Sequence, residues 1–510
     1  MKHLCVTTSV LLGLAIVTGT IRNSFCVPRE DPAPRNIILV IGDGMGPQQV
    51  GLAELYAAKA KDDSARTLSG FIRQSVIGAH MPSAQGTLVN DSACSATQIA
   101  SACSCKSRQI GLNAEGAPCR TIFQDAKKEG KKLGLVSDTR ITHATPAAFY
   151  AHVNDRDSEN MVAEQLLDSG IDLALSGGRS FFLPKQGTCS SSDCREETGN
   201  YGERADRRNL LNDARKRGFS IALNARDLEL AHGTPLLGLF SQDVMNDAFR
   251  EGQNEQPTLA VMTQKALKLL DNPNGFILMV EAGQIDLAAH HNDAGWVLAE
   301  LLRLSAALGV IDNFIQNRND TLVVLTGDHE TGGMGFSYYY PANVPLTSNF
   351  FVSPPTAVNS DFVSSENLAV LRGQKASLLS VMTTFTQQHQ KQRTPKKLQQ
   401  LIQSTAHLSL NTDVAAWIAG SVNEERHQPN MYDALLGPFY RKDSGPSAIL
   451  GRALGAQLGI VWGTGTHTST PIFVFSKGPR STAFQGWFDT LELGQRLKHI
   501  LEQKGTSPTM

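Results

Sequence analysis

Asp286 and His290 stand four residues apart in Glu281-Ala282-Gly283-Gln284-Ile285-Asp286-Leu287-Ala288-Ala289-His290. On a helix that spacing puts both on one face, within reach of one metal ion, and a carboxylate with an imidazole suits zinc. Taken alone, the pair reads as an ordinary surface i, i+4 contact. Other carboxylates end apolar runs. Asp43 follows 36–41 through Gly42, Glu281 follows 276–280, and Asp328, with His329 beside it, follows 321–327. Each by itself could be a turn or cap residue. Gathered at one end of neighbouring strands, they repel one another unless cations neutralise them. His467 lies among small residues in Gly463-Thr464-Gly465-Thr466-His467-Thr468, a loop able to hold a histidine tightly. A lone loop histidine is more often solvated, so His467 counts only because the other ligands need a partner.

Ser92 is the candidate nucleophile. The run from Val89 to Ala100 reads as a turn into a helix, so Asp91 or Ser92 could be a plain N-cap. A serine there also sits beside free N–H groups that attract phosphate. A neighbouring metal ion would lower its pKa and activate it for attack.

These side chains need rigid elements behind them. Apolar runs at 36–41, 133–136, 172–175, 275–280, 321–326 and 471–475 are continuous rather than alternating, which predicts strands buried on both faces. Segments 47–61 and 296–316 have helical periodicity. The expected fold class is α/β, with a central, mostly parallel sheet sandwiched by helices. Ligands gather at the carboxyl ends of such strands. Residues 338–457 break the alternation and read as an insertion on the sheet, with Thr394 before Pro395 as a helix start. Lys391, Arg393, Lys396 and Lys397 there read as a solvated helix face.

The ordered segments resemble those of the alkaline phosphatase family. They are Asp43-Gly44-Met45-Gly46, Asp91-Ser92-Ala93, Thr142-His143-Ala144-Thr145-Pro146, 152–156, 281–290, 326–333 and His467. The resemblance implies a catalytic domain over 34–502 that hydrolyses phosphate monoesters through a phosphoserine at Ser92, with Arg156 clamping the phosphate. It implies zinc on Asp286, His290 and His467. A second zinc would sit on Asp43, Asp328 and His329, also contacting Ser92. Magnesium would sit on Asp43, Thr145 and Glu281. It implies small phosphate monoesters as partners and suggests a homodimer. Charge agrees with three ions. Asp43, Glu281, Asp286 and Asp328 carry four negative charges, a phosphate dianion adds about two, and three divalent cations balance them. Two positions depart from familiar forms. Leu287 stands where other members often carry a basic or polar residue. His143, where some bacterial members have Asp, stands beside the third metal or is a packed histidine. The 338–457 insertion is longer than in compact members and is expected to form a crown or lid.

Bulk properties bound these expectations. Forty-seven Lys and Arg against 48 Asp and Glu give a net charge of −1, so no global field draws the chain to nucleic acid or anionic membrane. Lys2 and His3 precede the apolar run 10–17, the layout of a secretory signal peptide within 1–26. That run is too short to span a bilayer, so the mature chain is expected to be exported without a membrane span, to a periplasm or to the medium. Six cysteines remain beyond it, an even number that suggests disulfides. Cys189 with Cys194 is the first expectation and Cys105 with Cys119 the second. The competing readings are a two-metal phosphodiesterase, a sulfatase and a non-catalytic phosphate binder. Thr145 and Glu281 argue against the first. The absence of a Cys/Ser-Pro-Arg pattern at Ser92 argues against the second. The presence of both Ser92 and Arg156 argues against the third.

Overall fold

The computed structural model describes residues 32–60, 63–185, 202–337, 366–423 and 444–502. The expected signal segment, the expected Cys189–Cys194 bridge and residues 338–365 and 424–443 of the expected insertion lie outside them. The strands are β1 (Asn36–Gly42), β2 (Val76–Met81), β3 (Lys132–Arg140), β4 (Leu173–Gly177), β5 (Ser220–Ala222), β6 (Leu236–Leu239) and β7 (Phe276–Ala282). They continue with β8 (Thr321–Gly327), β9 (Glu330–Thr331), β10 (Met334–Phe336), β11 (Ile460–Trp462), β12 (His467–Thr468), β13 (Ile472–Lys477) and β14 (Gly486–Asp489). Ten of them form one sheet in the order β14-β2-β13-β8-β1-β7-β3-β4-β6-β5. Only the pairings made by β13 are antiparallel, so the sheet is mostly parallel, as the continuous apolar runs predict.

Strands β1, β7 and β8 are buried at every residue. On β1, Ile37, Leu39 and Ile41 join one core with Ala96, Phe123, Leu166 and Leu497. Ile38 and Val40 join the other, with Leu267, Leu301 and Leu308. Helices therefore cover both faces. Burying one such aliphatic side chain is worth roughly 1.5–3 kcal/mol. A one-residue slip would swap the two faces of a strand, so the central register is firmly set. That register aligns Ile41 with Glu281 and Thr326, and Gly42 with Gly327. Asp43, Glu281 and Asp328 consequently reach the same carboxyl edge.

The helix Ala294–Ile315 is capped by Asp293, whose Oδ1 accepts the Trp296 N–H at 3.0 Å. It is long and apolar enough to cross a membrane, but 78% of its most apolar window is buried inside the molecule. Its apolarity is that of a core helix under the sheet.

Residues 366–422 and 445–455 are helical where helices are described. Leu378, Phe385, Leu398, Ile402, Trp417 and Leu450 form a core of their own. Thr394 Oγ1 accepts the Lys397 N–H at 3.2 Å with Pro395 in the first turn, as predicted. Lys391 and Lys396 are exposed. Antiparallel pairing of β10 with β11 sets Met334 opposite Trp462 and Phe336 opposite Ile460. Asp293 Oδ2 accepts the Leu378 N–H at 2.7 Å, tying the helix Leu378–Thr386 to the core helix.

The cysteine pairing differs from expectation. Cys105 bonds Cys94, not Cys119, and Cys119 bonds Cys103. The segment after helix Ser92–Ser101 doubles back along it. That leaves Cα separations of 5.6 Å and 6.3 Å, inside the bridging range. Cys105 instead reaches the buried Cys94 on the helix, which leaves Cys119 to Cys103.

Candidate metal centre

Short turns bring the carboxylates and histidines together. After β1 the chain turns through Gly44 at φ +72°. A Cβ there would lie 2.8 Å from the Asp286 Cα, so glycine serves both the backbone angle and the close approach. Helix Gln284–His290 presents Asp286 and His290 side by side, with His290 Nε2 3.2 Å from Asp286 Oδ2. Strand β12 pairs with β9, setting His467 opposite Thr331. His467 Nε2 then lies 3.2 Å from His290 Nε2 and 3.7 Å from Asp286 Oδ1.

Three groups result: Asp286, His290 and His467; Asp43, Asp328 and His329; and Asp43, His143 and Glu281. In each, one potential ligand atom per residue lies within 4.8 Å of the others. Asp43 belongs to two groups, so the centres adjoin. Thr145 Oγ1 donates to Asp43 Oδ2 at 3.3 Å beside the third group. Every metal-ligand residue expected from sequence is thus brought to one place. His143 joins the third group, with its Nδ1 3.9 Å from Glu281 Oε1.

The histidines are oriented for ligation. His290 Nδ1 lies 2.8 Å from the Gly465 carbonyl and His467 Nδ1 lies 2.9 Å from the Asn90 carbonyl. A carbonyl requires an N–H at Nδ1, which leaves the Nε2 lone pairs facing each other and Asp286. His329 Nδ1 contacts Thr331 Oγ1 at 3.3 Å, and that hydroxyl donates to Asp286 Oδ1. His329 Nε2 therefore also presents a lone pair. It lies 3.4 Å from both Asp43 Oδ1 and Asp328 Oδ2.

Unsatisfied atoms test whether cations fit here. Asp43 Oδ1, Asp328 Oδ2, Glu281 Oε1 and His143 Nδ1 are buried with no hydrogen-bond partner among the described residues. Buried polar atoms are rarely left so. Burial, then the charges of Asp328, Asp286 and Glu281, push the Asp43 carboxyl well above the usual range. Burial and the Asp286 charge push Asp328 up to about 7. Burial pushes His467 down to about 4 and His329 well below its usual value, so both imidazoles are neutral at pH 7. Neutral imidazoles and carboxylates that burial makes costly to ionise are a donor set that divalent cations satisfy.

Ser92 opens the ten-residue helix Ser92–Ser101, and its Oγ lies 3.1 Å from His329 Nε2. Asp91 caps the helix, with Oδ1 accepting the Cys94 N–H at 3.2 Å. Its Oδ2 lies 3.3 Å from Arg156 Nη1, and Arg156 Nη2 lies 3.2 Å from His143 Nε2. The guanidinium is thereby held beside the helix N-terminus. Leu287 lines a cleft with Asp286, His290, His143, Arg140 and Leu379.

A sequence model of the alkaline phosphatase family matches residues 34–428. The chain belongs to the alkaline phosphatase family. It is an enzyme of a metal-dependent family that hydrolyses phosphate monoesters. The chain is 28% identical to the repressible alkaline phosphatase of Saccharomyces cerevisiae over 98% of its length and 88% of that relative. It is 27% identical to alkaline phosphatase 3 of Bacillus subtilis over 92% of its length and 89% of that relative. The crystal structure of Thermus thermophilus alkaline phosphatase shares the fold, with a TM-score of 0.76 and 24% identity over 93% of this chain and 94% of that one.

Three residues that organise this candidate site were not expected in those roles from sequence. Asp91 holds Arg156. Thr331 bridges His329 to Asp286. Glu330 accepts Gln49 Nε2 at 3.1 Å and the Gly333 N–H at 3.2 Å, and also the Thr468 hydroxyl beside His467. Glu330 and Thr331 follow Asp328-His329 directly, so the run of polar residues after β8 was their one available signal.

Proposed function

We propose that this enzyme hydrolyses phosphate monoesters through a phosphoserine at Ser92, with two zinc ions and one magnesium ion. The observation that carries the reading is the approach of Ser92 Oγ to His329 Nε2 at 3.1 Å, within one ligand group, with Arg156 held by the adjoining Asp91. Asp286, His290 and His467 would hold one zinc, and Asp43, Asp328 and His329 the other. Asp43, Thr145 and Glu281 offer oxygen donors for magnesium, the harder ion. When bound, the cations supply charge neutralisation and activation of oxygen nucleophiles.

The chain's own groups account for the rest. Ser92 Oγ stands at a helix N-terminus whose free N–H groups favour a phosphate dianion. Attack by Oγ on phosphorus forms a new P–O bond and releases the alcohol. Arg156, fixed through Asp91 and His143, offers a planar guanidinium for two phosphate oxygens. Water then cleaves the phosphoserine and returns the Ser92 hydroxyl. The described disulfides suit an oxidising compartment, which supports export directed by the segment 1–26. The insertion residues Ser377, Leu379 and Ser380 border the cleft beside Leu287, which supports a crown over the entrance with influence on substrate choice. The test is a rate comparison of a phosphate monoester and a diester, together with metal analysis. The reading expects the monoester to be much the faster substrate and about three divalent ions per chain. Faster diester cleavage with two ions would replace it with a diesterase.

A further inference from the structure

Behind the third ligand group lies a buried polar cluster. Ser137 and Thr139 close β3, and their hydroxyls both donate to Glu281 Oε2, Thr139 at 3.0 Å. The other oxygen, Oε1, has no hydrogen-bond partner among the described residues and lies 3.9 Å from His143 Nδ1. With Oε2 occupied twice, Glu281 offers a cation one oxygen. Asp138 lies between the two hydroxyl residues, and along a strand its side chain takes the opposite side. Its Oδ1 accepts the Gly283 N–H at 2.7 Å, and its Oδ2 receives Arg303 Nη1 at 3.1 Å. Arg303 also donates to the Asn246 carbonyl at 2.6 Å and pairs with Glu300 at 3.1 Å. The side chains of Asp138, Arg303 and Glu300 are at most 2% exposed. The ends of β3 and β7 are pressed together. A Cβ on Gly283 would fall 2.3 Å from Thr139 Cγ2.

We propose that Ser137, Asp138, Thr139 and Arg303 are positioning residues for the third cation. They brace Glu281 so that Oε1 alone faces Asp43 and His143. The proposal rests on the reading that Asp43, Thr145 and Glu281 hold that ion. Its logic is chemical. Buried ion pairs are poor sources of stability compared with apolar packing. Groups that orient a ligand, by contrast, tune metal affinity strongly. The Arg303–Asp138 pair locks the strand end from behind, and the two hydroxyls set the carboxylate's rotation from the side.

The experiment titrates Mg2+ into protein carrying zinc only, followed by calorimetry, for wild type, Thr139→Val, Thr139→Ser and Arg303→Met. Zinc content and thermal melting are recorded for each. Thr139→Val removes a hydroxyl at nearly constant volume and is expected to weaken Mg2+ binding about 10–100-fold with zinc content unchanged. Thr139→Ser restores the hydroxyl and is expected to bind like wild type. A folded Arg303→Met protein is expected to show the same selective loss. If it does not fold, the Thr139 pair decides alone. Wild-type Mg2+ affinity in folded Thr139→Val would overturn the brace. A wild-type protein that takes up no third ion at all would instead overturn the reading beneath it.

Discussion

At the scale of single residues, the site is a set of lone pairs that have nowhere to go within the protein. The backbone carbonyls of Gly465 and Asn90 fix the outer nitrogens of His290 and His467. Their inner nitrogens then meet at 3.2 Å. Arg156 is held the same way, by Asp91 and His143. Charge-assisted hydrogen bonds are worth about 1.5–3 kcal/mol each. Arg156→Ala is therefore expected to weaken inhibition by inorganic phosphate on the order of 10²-fold while metal content stays unchanged. Inhibition constants with parallel metal analysis check this. Much of the site was legible at this scale. Asp286 and His290 share a helix face by spacing alone, and Asp43, Glu281 and Asp328 each end an apolar run. The supports were not legible, because Asp91 and Arg156 are 65 positions apart and meet only once the chain is folded.

At the scale of elements, the three central strands deliver the carboxylates, and the sheet around them keeps the register. Their continuous apolar runs announced them. Strands β5 and β6 are short, and β2 is partly exposed and interrupted by Gly78, so neither period nor length marked them. Gly78 is needed because a Cβ there would meet the Phe484 carbonyl at 1.9 Å. Strand β2 also carries His80, buried between Thr490 at 2.8 Å and the Gly327 carbonyl at 3.1 Å. Burial pushes His80 down from 6.5 to about 4, against the Gly327 hydrogen bond. The folded pKa is depressed, so on acidification the unfolded chain takes up the proton first. This contribution to stability is complete above pH 6.5 and is lost as pH falls toward 4. It amounts to about 3 kcal/mol over the window, at 1.36 kcal/mol per unit. Denaturant midpoints of wild type and His80→Asn measured across that window are expected to converge at low pH. A constant gap between them would contradict this assignment.

At the scale of the whole molecule, the two cores on either side of the sheet hold a polar centre whose charges the protein alone leaves unbalanced. Asp43 and Asp328 are buried, and burial with their neighbours' charges raises both carboxyls. Cations that bind only the folded chain stabilise it by about 4 kcal/mol per site at a thousand times the dissociation constant. A chelator is accordingly expected to lower the melting temperature markedly, and zinc with magnesium to restore it. An unchanged melting temperature in demonstrably metal-free protein would contradict that. The α/β class could be read from the rhythm of apolar runs. The separate core of the helices within 378–454, and its tie to the helix Ala294–Ile315 through Leu378 and Asp293, could not, because both depend on helices whose partners lie far away in sequence. The proposed function turns on one atom, Ser92 Oγ. The most direct test is mass spectrometry of enzyme quenched in acid during monoester turnover. The expected result is a phosphate on Ser92. Phosphate on another residue, with undiminished turnover in Ser92→Ala, would contradict the assignment.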